Sequence, residues 1–257
     1  MTVSYTSAGD SQNAVIFLHG VGSGKGGWVR QQDATVEAGW KFIAIDAPGY
    51  GQTPLPEAPG FEPHIDAVLE VIDIEKPERV VLCGHSLGGM TVQEIYAKDP
   101  SIASGLILSA TSPAFGRPDG DFQKQFIQSR LEPFDNGMTM PEFARSFAAK
   151  LLGPNPTNEA KEDVIAGMSN VSIDAYRLSM HTIVGFDQRA NLANIEIPTL
   201  AVAGSHDNNS PAKMMARMAE HIEDCEFVEL QNTGHMAPLE NSEEFNNHLS
   251  QFLKKLA

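Results

Sequence analysis

Cysteine is nearly missing from this chain: Cys83 and Cys225 are the two in 257 residues. Two cannot build the disulfide framework that staples small secreted domains, so the fold has to rest on burial. Cys83 closes an apolar run and reads as a small buried hydrophobe. Positive charge is scarce as well, with 18 Lys and Arg against 33 Asp and Glu and a net charge of −15. No basic stripe is available to a nucleic acid, and the acidity opposes binding to anionic membranes. Lys254 and Lys255 near the C-terminus are too few to reverse that. Long hydrophobic runs are absent too; none approaches the roughly 18 residues of a membrane span. The opening "MTVSYTSAGDSQ" lacks the basic-then-apolar order of a secretory signal. A soluble, cytoplasmic protein without nucleic-acid or membrane partners is expected.

What the chain does have is 42% hydrophobic residues, enough for one large core or a domain with an insert. Short apolar runs rich in β-branched residues lie at Ala14–Leu18, Phe42–Ile45, Val80–Cys83 and Gly105–Leu108. Runs that are apolar throughout suit strands buried on both faces of a parallel sheet. Between them, Glu62–Lys76 places Ile65, Val68, Leu69 and Ile72 on one helical face. The alternation predicts an α/β fold with right-handed crossovers. It stops after Thr111. Helical patterns follow at Asp121–Leu131, Pro141–Leu152, Asn158–Ser169 and Ile173–Phe186, punctuated by Pro133, Gly137, Gly153, Pro154 and Pro156. Alternation resumes with Pro198–Ala203, a helix near Pro211–His221, Glu226–Leu230 and a last helix near Ser242–Leu256. The expected organisation is a sheet core, 1–111 and 195–257, interrupted by a helical insertion at 112–194. An insertion of that length usually has work to do, often as a lid. The stripe Phe143, Phe147, Leu151 reads first as core contact between that insertion and the body.

One serine stands out. Gly84-His85-Ser86-Leu87-Gly88 fits G-x-S-x-G, directly after the strand Val80–Cys83 and at the start of a helix towards Lys98. That strand–turn–helix setting is the nucleophile elbow, in which a strained turn lifts the hydroxyl above the carboxyl edge of the sheet. Small neighbours are needed because strand and helix nearly touch there. The rival reading, a serine that caps a helix among turn-forming glycines, leaves the rest of the pattern unused.

A serine hydroxyl needs a base, and the base needs an orienting acid. Of eight histidines, His235 follows the strand Glu226–Leu230 and the turn "QNTG", where a base could reach Ser86. For the acid, Asp207 sits in the loop after Pro198–Ala203, giving the order Ser86, Asp207, His235. Asp119, Asp121 and Asp187 are less well placed. Acyl transfer also requires donors for an oxyanion. The backbone N–H of Leu87 is one, and that of Val21, in "IFLHGVGSGKGGW", is the other. The glycines there do not make a Walker loop, because Lys25 is followed by Gly26, and no dinucleotide fingerprint is present.

These residues resemble the α/β-hydrolase superfamily nearly end to end: "HGVGSG", "AIDAPGYGQT", "GHSLGG", "GSHD" and "NTGHMAPLE" occur in that order. "SLGGMTVQEIYAKDP" and "GFDQRANLANIEIPTLAVAGSHD" are similar to 3-oxoadipate enol-lactonases and their relatives. The resemblance implies a cofactor-free, metal-free hydrolase of a small carboxylic ester or lactone, with an α/β-hydrolase fold and a helical cap. It implies Ser86 as nucleophile, His235 as base, Asp207 as acid, and oxyanion donors from Val21 and Leu87. Trp28 falls at the pocket mouth by the same likeness. Met138, Met140, Phe143, Phe147 and Met180 are expected as pocket walls from their location in the insertion. Two departures stand. A lactone acid would call for a cation in the pocket, and Arg117, Arg130, Arg145 and Arg177 all lie in the insertion with none singled out. "NNSP" after Asp207 also differs from the lactonase pattern. The same triad serves C–C hydrolases of meta-cleavage products and cofactor-free perhydrolases, and a ligand-binding role with little turnover is a further class. Dehalogenases and epoxide hydrolases of this fold use an aspartate where this chain has Ser86.

Overall fold

The computed structural model describes residues 2–116 and 120–256. Its centre is a seven-stranded sheet in the order β1-β3-β2-β4-β5-β6-β7. The strands are β1 (Tyr5–Ala8), β2 (Asn13–Leu18), β3 (Lys41–Ile45), β4 (Arg79–His85), β5 (Gly105–Ser109), β6 (Thr199–Gly204) and β7 (Cys225–Leu230). β1 runs antiparallel to β3, and every other neighbouring pair is parallel. Around the sheet lie α1 (Gln32–Glu37), α2 (Glu62–Glu75), α3 (Leu87–Lys98), α8 (Ala212–Ala219), α9 (Ala237–Glu240) and α10 (Ser242–Leu256). Between β5 and β6 come α4 (Asp121–Asp135), α5 (Met140–Phe147), α6 (Asn158–Ser169) and α7 (Ile173–Thr182).

Successive strand residues face opposite sides of a sheet, and here both sides are covered. Ile16, Leu18, Ile43, Leu82 and Leu106 pack towards Val68 of α2, Ile95 of α3 and Met215 of α8. Val15, Phe17, Phe42, Val81 and Ile107 pack towards Trp28, Trp40 and Leu249 of α10. This two-sided burial is why these strands read as unbroken apolar runs. Cys83 is fully buried among them, and burial pushes its thiol well above the usual range. The helices of the insert form a third cluster with Leu87, Met90, Met236 and Leu239, so they roof the carboxyl edge of the sheet. Among the described residues no helix is long and apolar enough to cross a membrane.

Four boundaries differ from expectation, one of them that of α7, which ends at Thr182 and continues as a 3-10 turn at Ile183–Gly185, short of Phe186. β1 was not anticipated: "YTSA" is polar and half-exposed at the sheet edge, so it lacks an apolar signal. α4 runs through Pro133 to Asp135 rather than ending at Leu131. The Pro141–Leu152 pattern is a shorter helix, α5, followed by a 3-10 turn at Ala148–Lys150.

Candidate active site

Ser86 joins β4 to α3 with φ 54 and ψ −114, a conformation that non-glycine residues rarely adopt. Such a residue costs on the order of 1–3 kcal/mol and persists only when its surroundings over-determine it. They do. Its N–H donates to Ser109 O at 2.9 Å, and its carbonyl accepts from Thr111 Oγ1 at 2.8 Å and Met90 N–H at 3.1 Å. The Ser86 side chain caps no helix N–H. The neighbouring glycines answer to contact. A Cβ on Gly84 would overlap the Gly88 carbonyl, and one on Gly88 the Leu18 carbonyl.

Asp207 follows β6, and His235 lies in the loop between β7 and α9. His235 Nδ1 and Asp207 Oδ2 are 2.7 Å apart, both side chains buried. The other carboxylate oxygen accepts from the N–H groups of Asn209 at 2.7 Å and Ser210 at 3.0 Å. Burial alone would raise the Asp207 pKa. The His235 ring and the two N–H donors outweigh it and hold the carboxyl below its ordinary value. The His235 loop is tied to the insert: its N–H donates to Leu151 O at 2.7 Å. Glu240 extends the tie by accepting from both Gly153 N–H and Gly234 N–H.

Ser86 and His235 open onto one cavity of about 310 Å³ beneath the insert. Val21 and Leu87 line the same cavity. Among the described residues neither backbone N–H has a protein acceptor. For Leu87 this follows from its place at the first turn of α3, where helix N–H groups have no partner of their own. The remaining wall is largely apolar and includes Phe115, Phe126, Phe147, Met168 and Met180.

Sequence expectation and structure part over the walls. Phe147 and Met180 line the cavity as expected. Met140 and Phe143 do not; both are buried in the helix cluster, Phe143 wedged between Phe134, Phe147 and Tyr176. Met138 lies in a separate surface cleft between α4 and α5. Trp28 is withdrawn from the mouth altogether. Residues Lys25–Gln31 coil into a 3-10 helix that turns the indole inward, 1% exposed, against Phe17 and Phe245. Asp187, one rival acid, is paired with Arg189 on the surface, while Arg117 and Asp119 lie outside the described residues.

Sequence reasoning left two features of the site unmarked and a third, Arg130, unresolved among four arginines. His85 packs its ring 4.8 Å from that of His235, and burial holds it well below the ordinary histidine range and therefore neutral. Tyr176 reaches the cavity from α7. Arg130, half-buried on α4, reaches it as well, lying 4.2 Å over the Phe147 ring and 5.0 Å over that of Phe126. For the first, the sequence did offer a cue, the position directly before Ser86. The other two have none, because four arginines and several aromatics share the insert.

The chain matches the alpha/beta hydrolase family over residues 15–248. It belongs to that family. Among curated α/β hydrolases it is 29% identical over 246 residues to the AB hydrolase superfamily protein YisY of Bacillus subtilis, covering 93% of this chain and 90% of that one. It is 24% identical to 3-oxoadipate enol-lactonase 1 of Acinetobacter baylyi, covering 95% and 89%. Among solved structures an esterase (EaEST) from Exiguobacterium antarcticum superposes with a TM-score of 0.88 at 22% identity, covering 98% of this chain and 95% of that one. The α/β-hydrolase fold expected from the motifs is the one observed.

Proposed function

We propose that this α/β hydrolase cleaves a small carboxylic ester or lactone through a covalent acyl-enzyme on Ser86. The observation that carries the reading is the meeting of distant residues: Ser86 faces the same cavity as His235, whose other ring nitrogen is held by Asp207 at 2.7 Å. Ser86 Oγ attacks the carbonyl carbon and passes its proton to His235 Nε2. The Val21 and Leu87 N–H groups stabilise the oxyanion. The ester C–O bond then breaks, and the leaving alkoxide or enolate takes the proton from His235. Water, deprotonated by His235, attacks the acyl carbon, and the C–O bond to Ser86 breaks to release the acid and restore the hydroxyl. Asp207 fixes the imidazole tautomer and favours its protonated form. The insert at 112–194 acts as the lid over the core at 1–111 and 195–257. A cavity of about 310 Å³ lies at the small end of ligand sites. The enol-lactonase among the relatives is in keeping with this bond class.

The test is labelling with a fluorophosphonate probe, followed by mass spectrometry and by turnover of short p-nitrophenyl esters. Labelling at Ser86 and loss of at least about 1,000-fold of turnover in Ser86→Ala, with unfolding temperature unchanged, are expected. An unlabelled Ser86, or full turnover in the variant, would overturn the mechanism.

A further inference from the structure

The N–H of Val21 belongs to the same peptide as the Gly20 carbonyl. A trans peptide is planar, with C=O and N–H pointing opposite ways, so whatever holds Gly20 O also aims the Val21 N–H. His19 holds it. Nδ1 of that ring lies 2.8 Å from Gly20 O, and Nε2 accepts from the Ala47 N–H at 2.9 Å. With Nε2 accepting, the proton of the neutral ring sits on Nδ1 and is donated to Gly20 O. The peptide stands beside the nucleophile, since a Cβ on Gly20 would come within 2.9 Å of that of Ser86.

The other side of Val21 has a different holder. Tyr50 comes from the same segment after β3 as Ala47, and its ring meets that of His19 edge-on, centroids 4.6 Å apart. The Tyr50 hydroxyl and Ser179 Oγ of α7 are 2.8 Å apart, and both side chains are 2% exposed. Burial pushes the phenol up to about 12 against the opposite pull of Ser179 and of the Gly22 N–H, so the hydroxyl keeps its proton at neutral pH. A hydroxyl donates once and accepts twice, so it can serve Ser179 and the Gly22 N–H together. Val21 is thus bracketed by Gly20 O and Gly22 N–H, and both answer to the segment after β3. Tyr50 itself touches no substrate, because it lines a separate cavity of about 330 Å³ and not the one at Ser86. Ser179 is different in its neighbours: Tyr176 and Met180 on the same helix do line the Ser86 cavity.

We propose that Tyr50 is a positioning residue for the Val21 N–H, and that its bond to Ser179 ties this donor to the helix that meets the substrate. The inference rests on Val21 acting as an oxyanion donor. Without the Tyr50 hydroxyl, Gly22 loses its anchor and the Val21 peptide is free to turn. An anchor of this kind matters where negative charge develops, so its loss should be felt in the tetrahedral state and not in ground-state binding.

The experiment compares wild type, Tyr50→Phe, Ser179→Ala, Ser179→Thr and the Y50F/S179A pair. Turnover of p-nitrophenyl hexanoate should show kcat at least about tenfold lower in Y50F with KM within about threefold. S179A should show the same split to a smaller degree, and S179T, which keeps the hydroxyl, should recover most of it. The pair should be no worse than Y50F alone, because both changes break one link. Inhibition is then measured with trifluoromethyl hexyl ketone, to which Ser86 adds to give a tetrahedral oxyanion, and with methyl hexyl ketone, which binds without addition. In Y50F the inhibition constant of the first should rise at least about tenfold and that of the second stay within about threefold. A merely structural role would weaken both ketones alike, and that result, or unchanged kcat in Y50F, overturns the proposal. Additive losses in the pair sink the part played by Ser179. If wild type turns over no ester while binding of the trifluoromethyl ketone still depends on Tyr50, the ester reading fails and the positioning stands.

Discussion

Asp207 carries a full charge in a nearly dry place, and three donors make that tenable: the His235 ring and the N–H groups of Asn209 and Ser210. Its folded pKa lies below the ordinary value of 3.8. A carboxyl depressed by folding contributes stability above its unfolded pKa and loses it as pH falls through the folded one. The stability gap between wild type and Asp207→Asn should therefore be present at neutral pH and close as pH drops below about 4, as read by urea unfolding across pH. The same variant should lower kcat on the order of 10,000-fold, because an amide no longer favours the required imidazole tautomer. Retention of more than a tenth of wild-type kcat would remove Asp207 from the relay. At this scale the placing of Ser86, Asp207 and His235, each just past a strand end, was legible from chain order. Trp28 was misread because the glycine loop around it gave no sign that Lys25–Gln31 would coil and turn the indole into the core. Met140 and Phe143 were misread for a different reason. A helix stripe tells which face is apolar, not whether that face meets other helices or an empty space, and on α5 Phe147 meets both.

The elements are held to the site by backbone contacts that leave little tolerance. Gly88 of α3 lies against the end of β2, where a Cβ would collide with the Leu18 carbonyl. Backbone on one side and a strained serine turn on the other leave nothing flexible to yield. Gly88→Ala is expected to cost at least about 1–3 kcal/mol of unfolding free energy by chemical denaturation. The Glu240 carboxylate makes a second such contact, bridging Gly153 of the insert and Gly234 of the histidine loop. Glu240→Ala strips both N–H groups of their acceptor and should destabilise the fold by about 1–3 kcal/mol, with Glu240→Gln milder because one oxygen remains. Parallel hydrogen-exchange measurements should show the change concentrated at Gly153 and Gly234. Five of the seven strands, β2 to β6, could be read from the chain because burial on both faces erases polar alternation, and β7, half-exposed at the far edge, was placed by the resumed strand–helix rhythm. β1 could not, because an edge strand of polar residues looks like a loop until its partner, β3, is in place.

At the level of the whole molecule, a net charge of −15 surrounds a cavity that bears a guanidinium. Long-range repulsion of an anionic substrate is screened by salt, since the Debye length shrinks from about 30 Å at 0.01 M to about 8 Å at 0.15 M. For an ester that carries a negative charge kcat/KM should therefore rise over that range of salt, while the value for a neutral ester stays level. A fall for the charged ester would mean that the cavity's own field dominates the approach. The break in the strand rhythm after β5 was visible in the chain, but how α4 to α7 are fastened was not, because the fastening pairs single side chains from distant segments, as in Arg30 with Asp163 and Tyr50 with Ser179. Leu151 O accepts from the N–H of His235 itself, and the Gly153 N–H reaches the same loop through the Glu240 carboxylate. The roof is thus riveted to the histidine loop beneath it. On the α4 side of the roof Phe122 stands 63% exposed at the wall of the same cavity, so that side of the cavity meets solvent.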